Sequence, residues 1–123
     1  MAKCDEGYLC EVCHDEVEGI LQSDLYLRFV IGEVDPERLH TTPERHIRCN
    51  PVLAQFIQAP DAPSYEHADV PEGFRLSDLD PSFVVERQQL VTRGWERLRE
   101  LAEQGDAVAI HEYPLEDVRS KWF

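Results

Sequence analysis

The sequence predicts an α+β fold. A small zinc-stapled module (knuckle, β-hairpin, short helix) is followed by a long C-terminal helix and a final strand packed on the hairpin sheet. Three observations predict it. Cys10-Glu-Val-Cys13 is answered downstream by His46-Ile-Arg-Cys49, two ligand pairs of matching spacing. Leu25-Tyr-Leu-Arg-Phe-Val-Ile31 alternates as a strand does, with Leu25, Leu27, Phe29 and Ile31 on one face and Tyr26, Arg28 and Val30 on the other. Between Asp80 and Gly105, apolar residues recur at helical spacing.

The N-terminal part is read first. Gly7-Tyr-Leu leads into the knuckle as a short extended segment, and Tyr8 and Val12 are expected to pack beside the metal. Val17, Ile20 and Leu21 predict a short strand near residues 16–21, and Gln22-Ser-Asp24 has turn chemistry. The alternating run 25–31 then supplies the second hairpin strand. Asp35-Pro36 turns the chain. Two Pro-Glu-Arg triplets, at 36–38 and 43–45, each read as a helix start with Asp35 and Thr42 as caps. Asn50-Pro51 is another start signal, opening a helix over 51–58 with a stripe of Val52, Leu53, Phe56 and Ile57.

The two ligand pairs carry the chemistry. Zinc takes four N or S ligands in a tetrahedron, and a Cys-x-x-Cys turn presents both thiolates to one side. Residues i and i+3 of a helical turn share a face, so His46 and Cys49 present a second pair. The predicted metal ligands are therefore Cys10, Cys13, His46 and Cys49. Four protein ligands leave no place for water, which makes the Zn2+ structural. Cys49, at a helix N-terminus, is expected to favour its thiolate. Cys4 leaves an alternative open: Cys4, Cys10, Cys13 and Cys49 as an all-thiolate set for zinc or an iron–sulfur cluster. His14 and His40 are weaker substitutes. Cys49 with His46 as a reactive nucleophile pair is a further reading.

Cys10, Cys13, His46 and Cys49, with Leu25–Ile31 as hairpin and Pro51–Gln58 as helix, resemble the treble-clef class of zinc modules. The resemblance covers the first half of the chain at motif level and names no family. It implies a knuckle, a hairpin and a helix whose first turn supplies the second pair. Two departures stand out: His14 follows the knuckle where a small residue is common, and His46 replaces one helix cysteine.

Residues 59–80 change character, with Pro60, Pro63 and Pro71 among acidic residues. They read as a proline-rich loop laid over the surface, pinned by Tyr65, Phe74 and Leu76; His67 within it reads as solvated. Asp80-Pro81 then caps a helix running to Glu103 or Gln104, where Gly105 stops it. Its predicted apolar face is Val84, Val91, Trp95, Leu98 and Ala102, with Arg93–Glu96, Arg97–Glu100 and Arg99–Glu103 on the solvated side. Gly94 costs about 1 kcal/mol against alanine inside a helix, which suggests a close-packed neighbour. Ala107–Tyr113 reads as a last strand, ended by Pro114. The terminal Trp122 and Phe123 are expected to fold back or dock on a second copy. The chain is read as one domain, 1–123: a zinc-knuckle half (1–58), the loop (59–80) and a helix-strand half (81–123).

Composition bounds the function. The chain has 123 residues, is 42% hydrophobic and 30% charged, and carries a formal net charge of −13. That is a folded globular composition. No run approaches the roughly 18 apolar residues of a membrane span. The N-terminus has no apolar export signal, so the expected location is cytoplasmic and the cysteines are read as metal ligands rather than disulfides. The acidity repels phosphate backbones and disfavours nucleic-acid binding; Arg38, Arg45 and Arg48 are interleaved with Glu37 and Glu44. The leading expectation is a non-enzymatic protein-interaction or regulatory module whose partner is a basic protein or a second copy. The alternatives are a zinc-dependent hydrolytic enzyme, for which His111-Glu112 and Glu44 beside His46 are the only hints, and a nucleic-acid-binding regulator.

Overall fold

The computed structural model describes residues 8–59 and 70–122. Four α-helices organise them: α1 (Asp24–Val30), α2 (Pro51–Ala54), α3 (Pro81–Gln104) and α4 (Glu116–Trp122). Short 3-10 turns join them, among them Ile20–Gln22, Pro36–Arg38, Ile47–Cys49, Leu76–Asp78 and Ile110–Glu112. Among the described residues there is no β-sheet. Two isolated antiparallel bridges, Leu9 with Glu16 and Ser23 with His46, are the strand-like pairings there. The expected α+β fold, with its strand at 16–21, hairpin, C-terminal strand and treble-clef layout, is therefore corrected to a helical one.

The correction turns on α1. Ser23 accepts a hydrogen bond from the backbone N–H of Tyr26 at 3.1 Å, so Ser23 is an N-cap and not a turn residue. Leu25, Tyr26, Leu27, Phe29 and Val30 are all fully buried. A segment apolar on every side suits a core helix as well as a strand, and periodicity does not separate the two. Backbone bonding does: a helix satisfies its own N–H and C=O groups, whereas a strand here has no partner strand. Each buried aliphatic or aromatic side chain of α1 contributes roughly 1.5–3 kcal/mol relative to exposure. The same reason removes the predicted strand at 107–113. With no sheet to join, it folds as short turns, and Ile110 is left 39% exposed while Tyr113 and Leu115 are buried.

The long helix α3 forms as its sequence predicts. Asp80 caps it by accepting from Phe83 N, Pro81 sits in the first turn, and Gly105, at φ 59°, ends it. Its buried stripe is Val91, Gly94, Trp95, Leu98 and Leu101. Ala102, expected in the stripe, is exposed, and Val84 is half-buried. The first three turns of α3 thus project beyond the core. Gly94 lies against α1: a Cβ there would stand 2.4 Å from Ile31 Cγ2 and 3.1 Å from Leu27 Cδ1. The expectation of a close neighbour at Gly94 is met by α1.

The C-terminal tail returns to this pair of helices. Leu115 N–H donates to Val30 O at 3.0 Å, and Lys121 Nζ to Gly32 O at 2.9 Å. Arg97 donates to the carbonyls of Tyr113 and Glu112, and Arg119 to those of Pro114 and Glu112. Arg93 pairs with Asp117 at 2.7 Å. The Trp122 side chain and Phe123, whose docking was expected, lie outside the described residues, as do Cys4, Tyr65 and His67.

The predicted helix over 51–58 shortens to α2, with Leu53, Ala54, Gln55 and Phe56 buried. Asn50 precedes it without capping it; its side chain is used elsewhere. Pro36–Arg38 is a single capped turn, with Asp35 accepting from Glu37 N at 2.8 Å. The second Pro-Glu-Arg triplet, 43–45, forms no helical turn and leads the chain to His46.

Candidate metal centre

The first ligand pair sits in a tight loop closed by backbone bonds. Val17 N–H donates to Tyr8 O, Cys10 N–H to Asp15 O, and His14 N–H to Cys10 O, at 2.8–3.0 Å. His14 carries a φ of 67°, and it is the non-glycine residue with positive φ among the described residues. That explains why a small residue suits the position after the knuckle: the left-handed region costs a residue with a Cβ roughly 1–2 kcal/mol. The Cys10 thiol is buried and receives the backbone N–H groups of Val12 and His46, each at 3.4 Å. Val12 itself points outward, 52% exposed, so the expected packing of Val12 beside the metal is corrected.

The second pair stands on the 3-10 turn Ile47–Cys49, closed by Cys49 N–H to His46 O at 3.0 Å. His46 is 1% exposed. Its Nε2 donates to the carbonyl of Glu16 at 2.8 Å, which leaves Nδ1 with a bare lone pair. That lone pair faces the sulfurs: Cys13 Sγ lies 3.3 Å and Cys49 Sγ 3.9 Å from Nδ1. The four ligand atoms of Cys10, Cys13, His46 and Cys49 all lie within 4.8 Å of one another. A zinc tetrahedron with bonds of about 2.0–2.3 Å has edges of about 3.5–3.8 Å, so the donor set fits one such ion. The chain therefore brings all four sequence-predicted ligands to one point, across a separation of 33 residues between Cys13 and His46.

The thiols compete for charge. Burial pushes the Cys10 thiol up, but backbone N–H groups of Cys13, His46 and Val12 outweigh it and hold the pKa at about 6. Burial, then the neighbouring Cys10 and Cys13 sulfurs, push Cys49 up to about 12. The expectation that a helix N-terminus favours the Cys49 thiolate is corrected: α2 is a single turn, and two nearby sulfurs repel a third negative charge. A divalent cation held by these residues would relieve that repulsion.

What the sequence did not show is the clamp behind the second pair. Asp24, fully buried in the first turn of α1, accepts from Arg28 Nε at 2.8 Å, Arg45 Nη2 at 2.9 Å and Asn50 Nδ2 at 2.8 Å. Its N–H donates to Arg45 O at 2.8 Å. Ser23 Oγ donates to buried Glu44 Oε1 at 2.8 Å, and Glu11 N–H to Glu44 O at 2.9 Å. The residues on both sides of His46 are thereby fixed to the head of α1, and the knuckle is fixed to the 44–46 segment. The available signal was Ser-Asp before an apolar run, an N-cap followed by a first-turn acid.

No protein family, no curated protein and no solved structure matches this chain. Fold and site together define a helical protein with a candidate Cys3His metal centre.

Proposed function

We propose that Cys10, Cys13, His46 and Cys49 bind one structural Zn2+, and that the chain is a non-enzymatic protein-interaction or regulatory module. The observation that supports it most is the donor geometry, with His46 locked by Glu16 so that Nδ1 faces three sulfurs. Zinc favours this N/S set, and four protein donors leave no open position for a substrate or water. A hydrolytic enzyme needs such a position. Three thiolates around Zn2+ leave one negative charge, which the Arg48 guanidinium, 4.0 Å from Cys13 Sγ, helps to balance. The ion joins the N-terminal loop to a segment already clamped on α1, and so fixes a surface where Leu9 and Val12 are exposed.

The net charge of −13 supports a basic protein partner over nucleic acid. Among the described residues no helix is long and apolar enough to cross a membrane. X-ray absorption at the zinc edge tests the site: three sulfurs, one nitrogen and no oxygen are expected. A zinc-bound oxygen would redirect the reading to hydrolysis. Cross-linking in native cytosol tests the module, which is abandoned if no partner is enriched.

A further inference from the structure

Between α2 and the start of α3 lies a cleft of about 400 Å³. Its apolar lining is Val52, Leu53, Phe56, Phe74, Leu79 and Phe83. Buried Gln55 braces it, donating to Val52 O at 3.0 Å and to Phe74 O at 2.8 Å. Phe83 stands edge-on to Phe56, ring centroids 6.2 Å apart. Leu53 and Phe56 are buried, whereas Phe74 is 55% exposed and Phe83 48%. Apolar clefts of about 300–1,000 Å³ with a few placed polar groups are the usual form of a small-molecule site. Ten residues line this one, too few for one side of a standard protein interface, which takes about 20–30. Its size points to a small molecule.

The charged lining sets the chemistry of that molecule. Arg28, Arg87 and Glu33 complete the cleft with Asn50. Asp24 holds Arg28 through Nε alone, at 2.8 Å, and gives the same oxygen to Arg45. Arg87 pairs with Glu33 through Nη1 and lies over the Phe56 ring at 5.9 Å. Three guanidiniums thus answer two carboxylates. Among the described residues, both Nη groups of Arg28, and Nη2 and Nε of Arg87, have no acceptor. Yet the two side chains are only 22% and 21% exposed. Mostly buried N–H donors without an acceptor are costly, and the guanidinium fork matches a carboxylate. Asp78 and Asp80, either side of Leu79, are taken up by the backbone N–H groups of Gly73 and Phe83. The chain's net charge of −13 opposes an anion at long range, but salt screens that beyond about 8–10 Å. We propose that this cleft binds a small apolar carboxylic acid, with its chain or ring among Phe56, Phe74 and Phe83 and its carboxylate on the open N–H groups of Arg28 and Arg87. This goes beyond the interaction-module reading and does not depend on the metal centre.

The test titrates the full chain, as purified, with decanoate below its micelle concentration, read by calorimetry. Decan-1-ol and decyltrimethylammonium are the neutral and cationic comparators. Saturable binding of one decanoate per chain is expected, at least tenfold tighter than either comparator. Arg87→Gln should weaken decanoate about tenfold, the loss of one charge-assisted hydrogen bond, and leave decan-1-ol unchanged. Arg28→Gln should do the same. It also takes a partner from Asp24, so Arg87→Gln, which releases only exposed Glu33, keeps the test decisive. Phe83→Ala should weaken both decanoate and decan-1-ol. Arg99→Gln, an exposed arginine near the far end of α3, should change neither. Absence of saturable decanoate binding, equal affinity for decan-1-ol, or tighter binding of the cation overturns the proposal. So does decanoate binding that ignores Arg87→Gln. An acidic amphipathic peptide of leucine and glutamate that displaces decanoate and binds more tightly would also overturn it, by making a protein segment the occupant. Each of these results leaves the zinc reading standing, because none of the substituted residues is a metal ligand.

Discussion

Replacing Gly94 by alanine tests the packing of α1 on α3. Alanine is the better helix former by about 1 kcal/mol, so propensity alone predicts a gain. The structure predicts a loss. The added Cβ would lie 2.4 Å from Ile31 Cγ2, over an ångström inside the usual contact distance of about 3.5–4.0 Å. Ile31 Cγ2 is a branch methyl on a stiff χ1, not a flexible tip. Ile31 is 5% exposed and Leu27, next in line at 3.1 Å, is fully buried, so neither can retreat easily. Overpacking of this kind costs about 1–3 kcal/mol, and here the upper part of that range applies. Net of propensity, Gly94→Ala should destabilise by about 1–2 kcal/mol, or roughly 4–8 °C in thermal midpoint. Gly19→Ala is the control, since a Cβ there meets nothing within 4 Å. Ile31→Leu moves the offending branch and should recover part of the loss when combined with Gly94→Ala. Calorimetry of the four proteins reads the result. A Gly94→Ala midpoint above wild type would refute the close crossing.

Asp24→Ala should cost about 3 kcal/mol or more in chemical denaturation, since it strips a buried acceptor from Arg28, Arg45 and Asn50, and it should also weaken metal affinity by loosening the His46 segment. His14→Gly should hold or raise stability by up to about 1 kcal/mol because it relieves the φ of 67°, whereas His14→Val should lower it; denaturant midpoints separate the two. Metal affinity should fall as pH falls. The Cys49 thiol, pushed up to about 12, is protonated in the metal-free protein near neutrality, so binding must release its proton, and calorimetric titrations in buffers of different ionisation enthalpy should show at least one proton released. For the Arg93–Asp117 pair, the Arg93 guanidinium holds the Asp117 carboxyl below its usual range. Because the folded pKa is depressed, any stabilisation is present above the unfolded carboxylate pKa and lost as pH drops below it, and Asp117→Asn should flatten the stability curve in that acidic window.

Some of this molecule was legible from residues alone. Asp80-Pro81 and Gly105 bracket α3 because caps and breakers act locally, and the Trp95 stripe has unbroken helical period. The grouping of Cys10, Cys13, His46 and Cys49 as a candidate metal centre was legible because metal geometry constrains spacing within each pair. The run 25–31 was not, because its apolar residues satisfy both a two-residue and a helical pattern; what decides is that no strand pairs with it among the described residues, which local sequence does not reveal. Val91, Trp95 and Leu98 stay in the buried stripe as expected, while Leu101 takes the place expected of Ala102 and Gly94 joins the stripe where α1 crosses. The Asp24 clamp joins residues 21 and 26 positions away; Ser23-Asp24 before an apolar run signals a helix start, but not the distant partners that bury the carboxylate.

The most direct measurement is elemental analysis of the purified chain beside its Cys49→Ser variant. The account predicts one zinc per chain, colourless, and its loss in the variant together with a large fall in thermal stability. No metal, a brown iron-containing protein, or a variant that keeps its zinc would contradict it.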